Sequence, residues 1–93
     1  MSKLNRLQIQ TALQSLPGWS RKRSAIHRVF EFKDFVVAIR FVKAVAIVAE
    51  KARHHPDIDI RWNRVTLSLT THDEGGLTLK DIQLAEKCDR LAE

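Results

Sequence analysis

The sequence predicts an α+β domain in which an antiparallel sheet is covered by helices on one face. Three observations predict it. Apolar residues recur at helical spacing near both ends of the chain, and the stretch from Asp34 to Glu50 holds neither glycine nor proline. Between His55 and Gly75 the apolar period drops to two, the period of strands.

Each element has its own local reason. At the N-terminus, Asn5-x-x-Gln8 has the spacing of a capping box, with Leu4 and Ile9 as its hydrophobic staple. Ile9, Ala12, Leu13 and Leu16 follow at i, i+3, i+4 and i+7, so a first helix is expected from about Arg6 to Ser15. Pro17-Gly18 ends it, because proline disfavours helical geometry in the residue before it. Trp19 and the segment Ile26 to Phe32 read as strand: Ile26, Phe30 and Phe32 share one parity, while His27 and Glu31 take the other.

Asp34 is placed to cap the long second helix, whose polar positions Arg40, Lys43 and Glu50 form one narrow stripe. A helix apolar around most of its circumference must be buried on more than one side. In so small a chain this predicts a sheet on one side and a partner subunit or another helix on the other. After His54-His55-Pro56, Ile58, Ile60 and Trp62 alternate with Asp57, Asp59 and Arg61, and Val65, Leu67 and Leu69 alternate with Thr66, Ser68 and Thr70. Asn63-Arg64 is the expected turn, since asparagine tolerates the left-handed backbone of a short hairpin. Gly75-Gly76 breaks the chain again. Thr78-x-x-Asp81 repeats the capping-box spacing, stapled by Leu77 and Ile82, and a last helix runs towards Leu91.

Composition narrows the function classes. The 93 residues fit one domain, 1–93, and hydrophobic and charged shares of 44% and 29% exclude a disordered chain. The single cysteine, Cys88, excludes an internal disulfide framework and a cysteine zinc finger, and reads as a small buried apolar residue. No apolar run approaches the ~18 residues that span a bilayer. The opening MSKLNRLQIQ lacks the uncharged apolar stretch of a signal peptide, so a cytoplasmic location is expected. The net charge of +5 raises nucleic-acid binding, but the sixteen basic residues are scattered. Only Arg21-Lys22-Arg23 forms a run, and the competing reading of that run is a solvated turn. Neither nucleic acid nor a membrane is the expected partner.

The polar residues that could carry chemistry gather late in the chain. His54 and His55 close the long helix, and His72 ends the hairpin beside a glycine-rich turn. A helix C-terminus and a nearby carboxylate both favour a protonated imidazole, ready to donate a proton. Glu50, four residues before His54, is placed to supply that carboxylate if the helix reaches so far. Each feature also has a structural reading. The histidine pair can cap the helix, Asp81 can be a capping-box member, Glu50 can pair on a solvated stripe, and Trp62 can be core. A metal site is not favoured, because adjacent histidines at a helix end diverge by about 100° per residue. No G-x-S-x-G elbow, phosphate loop or dinucleotide fingerprint is present.

Taken together, Glu50-x3-His54-His55-Pro56, then five residues to Trp62, nine to His72 and eight to Asp81 resembles the pterin-4a-carbinolamine dehydratases. Pro17-Gly18-Trp19, Phe30-x-Phe32-x-x-Phe35 and the run Thr71-His72-Asp73-Glu74-Gly75-Gly76-Leu77-Thr78 agree, so the likeness extends from about Leu7 to the C-terminus.

The resemblance implies an antiparallel four-stranded sheet with three helices packed on one face, in the order α-β-β-α-β-β-α. It implies a hydro-lyase that removes water from 4a-hydroxytetrahydrobiopterin, or a related 4a-hydroxytetrahydropterin, to give quinonoid dihydropterin. Such a step belongs to tetrahydrobiopterin recycling for an aromatic amino acid hydroxylase. The family is cofactor-free and metal-free, and its members form homodimers or homotetramers. By the same resemblance His54 and His72 are the general acid and base, and His55 holds and polarises the pterin. Glu50 tunes the histidine pair, Thr71 and Asp73 line the pocket with Pro56 nearby, Trp62 supplies an apolar wall, and Asp81 orients His72. The alternative is a binding protein that stabilises a partner's dimer, in the manner of a dimerisation cofactor or transcriptional coactivator.

Overall fold

The computed structural model describes residues 2–93. Helix α1 (Arg6–Leu13) leads into β1 (Ser20–Lys22) and β2 (Ala25–Glu31), and then into the long helix α2 (Phe35–Ala52). The hairpin β3 (Asp57–Arg61) and β4 (Arg64–Leu69), a 3-10 turn at His72–Glu74 and helix α3 (Leu79–Leu91) complete the chain. The four strands form one antiparallel sheet in the order β1-β2-β4-β3. This is the expected α+β fold, with its elements in the expected order.

The local signals explain most of the boundaries. Both halves of the first capping box form, with Asn5 N–H donating to Gln8 Oε1 and Gln8 N–H to Asn5 Oδ1, each at 2.8 Å. The helix ends two residues short of Ser15, because its last turn tightens: Ser15 N–H donates to Ala12 O and Leu16 N–H to Leu13 O. Asp34 caps α2 through Oδ1, which accepts from Val37 N–H at 2.9 Å.

The core lies between one face of the sheet and the helices. Ile26 and Phe30 from β2 and Val65, Leu67 and Leu69 from β4 are buried. Against them lie Ala38, Phe41, Val45 and Ala49 of α2, Ile82, Leu84, Ala85 and Cys88 of α3, and Ile9 of α1. Arg28 takes the same parity as Ile26 and Phe30, so its charge needs a partner inside the fold. It finds one in Asp89 of α3, at 2.6 Å, and its guanidinium covers the Phe30 ring at 4.3 Å. The same Asp89 oxygen accepts from Trp19 Nε1 at 2.9 Å, which fixes that buried indole just before β1.

Two expectations fail at the hairpin. Arg61 pairs with Arg64, so the two-residue turn is Trp62-Asn63 and not Asn63-Arg64. Trp62 takes the positive φ, at 51°, while Asn63 turns its amide to the β2–α2 junction and donates through Nδ2 to Phe32 O at 2.8 Å. The asparagine is thus a clamp, closed by a return bond from Phe32 N–H to Asn63 O at 2.9 Å. Trp62, read as core by strand alternation, is 67% exposed at the hairpin tip because the strand ends one residue before it. Ile58 and Ile60 do lie opposite the buried Leu67 and Val65, but on an edge strand they keep part of their surface in solvent.

Helix α2 carries a second apolar stripe that none of the described residues covers. Val36, Ile39 and Ile47 remain exposed, on a face separate from the buried Ala38, Phe41, Val45 and Ala49. The sheet and α3 account for one buried side of α2, and the other side is open in the single chain.

Candidate active site

The site is built where α2 stops. Arg53 adopts the left-handed conformation (φ 53°), Arg53 N–H donates to Glu50 O, and His54 N–H reaches back to Ala49 O at 3.1 Å. This is a Schellman-type ending, with the left-handed position held by arginine where glycine would be free of strain. Backbone groups therefore cap the helix, and both imidazoles are left for other work.

The reversal turns His54 towards α3. Its Nε2 lies 2.5 Å from Asp81 Oδ1, with the histidine side chain 10% exposed and the carboxylate fully buried. Asp81 Oδ2 accepts twice more, from Thr71 Oγ1 at 2.8 Å and from Thr78 N–H at 2.9 Å. Because the carboxylate only accepts, Thr71 spends its hydroxyl proton there, and the Thr78 hydroxyl 2.9 Å away must donate to Thr71. Thr78 Oγ1 in turn accepts from Lys80 N–H. Asp81 is thus both the capping-box acid of α3 and the partner of His54. With Nε2 engaged by the carboxylate, Nδ1 is the ring nitrogen of His54 left for a ligand.

His55 is held differently. Its Nε2 lies 2.9 Å from Glu50 Oε1, and both side chains stand largely in solvent. Glu50 was expected beside His54 on helical spacing. The left-handed Arg53 breaks that spacing, so the residue five positions on reaches Glu50 instead.

His72 arrives from the opposite side on a tight turn. Thr71 and Gly76 exchange backbone bonds, Thr71 N–H to Gly76 O at 3.0 Å and Gly76 N–H to Thr71 O at 3.3 Å. Within that loop Gly75 takes φ 75° and donates to His72 O. The expectation that Asp81 orients His72 is corrected here: its oxygens are taken by His54, Thr71 and Thr78, and His72 is positioned by its turn.

A cleft of about 280 Å³ lies between these parts, lined by His54, His55, Thr71, His72 and Asp73. Three further residues of its wall, Arg53, Thr70 and Lys80, were not expected. Arg53 adjoins the histidine pair and Lys80 adjoins Asp81, so nearness to the motif was the signal available for both. Pro56 lies behind the histidines and starts the chain towards β3, and Glu50 reaches the cleft only through His55. Trp62 is not part of the cleft wall in the single chain, since the hairpin tip carries it away into solvent.

Cys88, buried along the same face of α3, has its thiol pushed up to about 12, first by burial and then by neighbouring Asp89. It stays protonated at neutral pH and supplies no nucleophile.

The arrangement offers one imidazole fixed by a buried carboxylate, two more imidazoles on the rim, and two cationic side chains at the mouth. Such a set can donate and accept protons on a small polar heterocycle.

Comparisons with known proteins point the same way. The family model described as pterin 4 alpha carbinolamine dehydratase matches residues 2–91. A provisionally named pterin-4-alpha-carbinolamine dehydratase of Thermomicrobium roseum is 52% identical over 92 residues, covering 99% of each chain. One from Nocardia farcinica, also provisionally named, is 54% identical over 85 residues, covering 91% of this chain and 90% of its own. The crystal structure of a transcriptional coactivator/pterin dehydratase from Brucella melitensis superposes with a TM-score of 0.96 at 40% identity, covering 99% of this chain and all of the other. A pterin dehydratase-like RuBisCO assembly factor of the alpha-carboxysome shares the fold, with a TM-score of 0.67 at 23% identity over 80% of this chain and 86% of its own. With a fold, a histidine-lined cleft and whole-length relatives in agreement, the chain belongs to the pterin-4a-carbinolamine dehydratase family.

Proposed function

We propose that the protein removes water from a 4a-hydroxytetrahydropterin, 4a-hydroxytetrahydrobiopterin being the natural candidate, and releases quinonoid dihydropterin. The observation that carries this reading is the His54–Asp81 pair: a nearly buried imidazole, fixed by a fully buried carboxylate, at the wall of a cleft shared with His55 and His72.

The reaction needs two proton movements, one onto the departing 4a-hydroxyl and one off N5 of the pterin. Expelling hydroxide from a neutral substrate is slow, and a positioned acid is worth roughly 10²- to 10⁴-fold. His54 and His72 serve as general acid and base from the two sides of the cleft. Asp81 holds His54 by Nε2, which leaves Nδ1 for the proton transfer, and it stabilises the imidazolium when that forms. His55, steadied by Glu50, holds and polarises the pterin, and Thr71 and Asp73 shape the pocket. The proposed setting is the cytoplasm, in the recycling of tetrahydrobiopterin used by an aromatic amino acid hydroxylase. Among the described residues no helix is long and apolar enough to cross a membrane.

Stopped-flow absorbance of freshly generated 4a-hydroxytetrahydropterin tests the reaction. The protein is expected to accelerate the appearance of quinonoid dihydropterin. Folded protein that leaves the spontaneous rate unchanged would overturn the assignment.

The open stripe of α2, with Val36, Ile39 and Ile47 exposed, supports a second proposal, association of the chain with copies of itself as a homodimer or homotetramer. Sedimentation of the wild type beside Ile39→Glu reads this directly. The Brucella melitensis relative is also called a transcriptional coactivator, and the same stripe is where a partner-stabilising role would act. Competition between such a partner and self-association would be its signature.

A further inference from the structure

The basic run Arg21-Lys22-Arg23 plays no part in the dehydratase reading, yet the fold builds a second concave site from two of its three members. Arg21 on β1 and Arg23 in the β1–β2 turn face a cleft of about 280 Å³ together with Lys3, Ser24, Gly75 and Gly76, and Leu4, Ile9 and Leu77 complete its wall. Lys22 stays out of it, as strand alternation requires.

Three features set this cleft apart from a solvated turn. First, the cations converge without an acid: no carboxylate lines the cleft, and among the described residues Lys3, Arg21 and Arg23 form no ion pair. Second, the parts are held. Leu4 N–H donates to Leu77 O at 2.7 Å, which seats the N-terminal arm beside the Gly75-Gly76 turn. The Lys3 stem lies so close over Gly76 that an added Cβ would stand 2.9 Å from Lys3 Cδ. Arg21 Nε donates to Arg23 O at 3.0 Å, which anchors one guanidinium edge, and its terminal nitrogens hold no other partner among the described residues. Third, Arg23 takes the positive φ (58°) that the first position of the two-residue turn between Lys22 and Ala25 requires, so the hairpin fixes where its side chain leaves the backbone beside the cleft.

We propose that this cleft is a binding site for a small phosphate-bearing anion. Two guanidinium groups and one ammonium around a concave surface match the several acceptor oxygens of a phosphate, each contact being a charge-assisted hydrogen bond. The Ser24 hydroxyl adds a neutral donor. A nucleic acid fits less well, because it asks for a stripe of cations along a backbone, and here they converge on one hollow.

The cleft also shares a wall with the active-site turn. Residues 71–76 carry His72 and Asp73 on one side and present Gly75 and Gly76 to the basic cleft on the other. Thr70 Oγ1 donates to Ser24 O at 2.6 Å and ties the β1–β2 turn to the start of that segment. An anion bound here would rest against the back of the loop that holds His72.

Calorimetric titration of the full chain with inorganic pyrophosphate is the test, read beside the amide signals of Gly75 and Gly76. One-to-one binding is expected, with shifts at both glycines. Arg23→Gly removes a cation and the backbone strain together, so it should fold at least as well as the wild type and yet bind about tenfold more weakly. Arg64→Ala, which removes a cation on β4, should bind like the wild type. Absence of binding at millimolar pyrophosphate would overturn the proposal, and so would equal binding by Arg23→Gly. Binding of a single-stranded oligonucleotide with a steep salt dependence, without binding of pyrophosphate, would replace it with a nucleic-acid surface.

Discussion

Two histidine–carboxylate pairs stand one residue apart at the end of α2, and their surroundings are opposite. His54–Asp81 is 10% and 0% exposed, and His55–Glu50 is 67% and 72% exposed. In the first pair the carboxylate is surrounded by donors and has no alternative partner in water, so the imidazole has one orientation. In the second, solvent competes for both groups, and the contact is worth little on its own. The same chemical pairing is a fixture in one place and an adjustable contact in the other. The left-handed Arg53 makes the difference, because it sends consecutive histidines to different partners.

The contrast between the two pairs depends most on Asp81. Asp81→Ala strips His54, Thr71 and Thr78 of their shared acceptor, and each buried donor left unsatisfied costs about 1–3 kcal/mol. Urea unfolding should record a loss of that size. A change below about 1 kcal/mol would mean that the network does not hold the site together.

The buried face that closes over Asp81 continues to Cys88, whose thiol titrates from its ordinary 9.0 up to about 12. The folded chain keeps this proton where the unfolded chain releases it. Its contribution to stability is therefore complete below pH 9.0 and is lost progressively as pH rises towards 12. Unfolding followed above pH 9.0 should show the wild type losing stability faster than Cys88→Ala, and parallel curves would show an open helix face.

At Arg53 the expected effect is smaller and of the opposite sign. Arg53→Gly relieves the left-handed position and should stabilise the chain by up to about 1 kcal/mol, while His54 keeps its bond to Asp81. Smallest of all, Glu50→Gln should change stability by less than about 1 kcal/mol, consistent with an exposed pair. Thermal unfolding of the two variants beside the wild type checks both.

Much of this was legible in the sequence, and the failures have physical causes. Asn5, Asp34 and Thr78 marked helix starts, because capping is local chemistry that tertiary contacts seldom override. The three histidines and Asp81 stand out in the sequence by their fixed separations in the family motif, and Thr71 and Asp73 by flanking His72. Their partners were harder to read. Helical spacing assigned Glu50 to His54, and one left-handed residue reassigned it to His55. Asp81 was matched to His72 across a short loop, when the packing of α3 against the end of α2 gave it to His54. Trp62 continued an alternating strand in sequence, but the register ended that strand at Arg61 and left the indole in a turn. Arg53 and Lys80 had only their nearness to the motif to mark them, since a charged residue at a helix end is ordinarily solvated surface.

In the proposed reaction the fixed histidine, rather than its exposed neighbour, moves the proton that expels water. The most direct measurement is the single-turnover dehydration rate of a 4a-hydroxytetrahydropterin with His54→Ala and His55→Ala side by side at saturating substrate. The account predicts a loss of roughly 10²- to 10⁴-fold for His54→Ala. His55→Ala should lose about tenfold or less at saturation and show its defect mainly in substrate binding. Equal losses in the two variants, or a larger loss at His55, would contradict it.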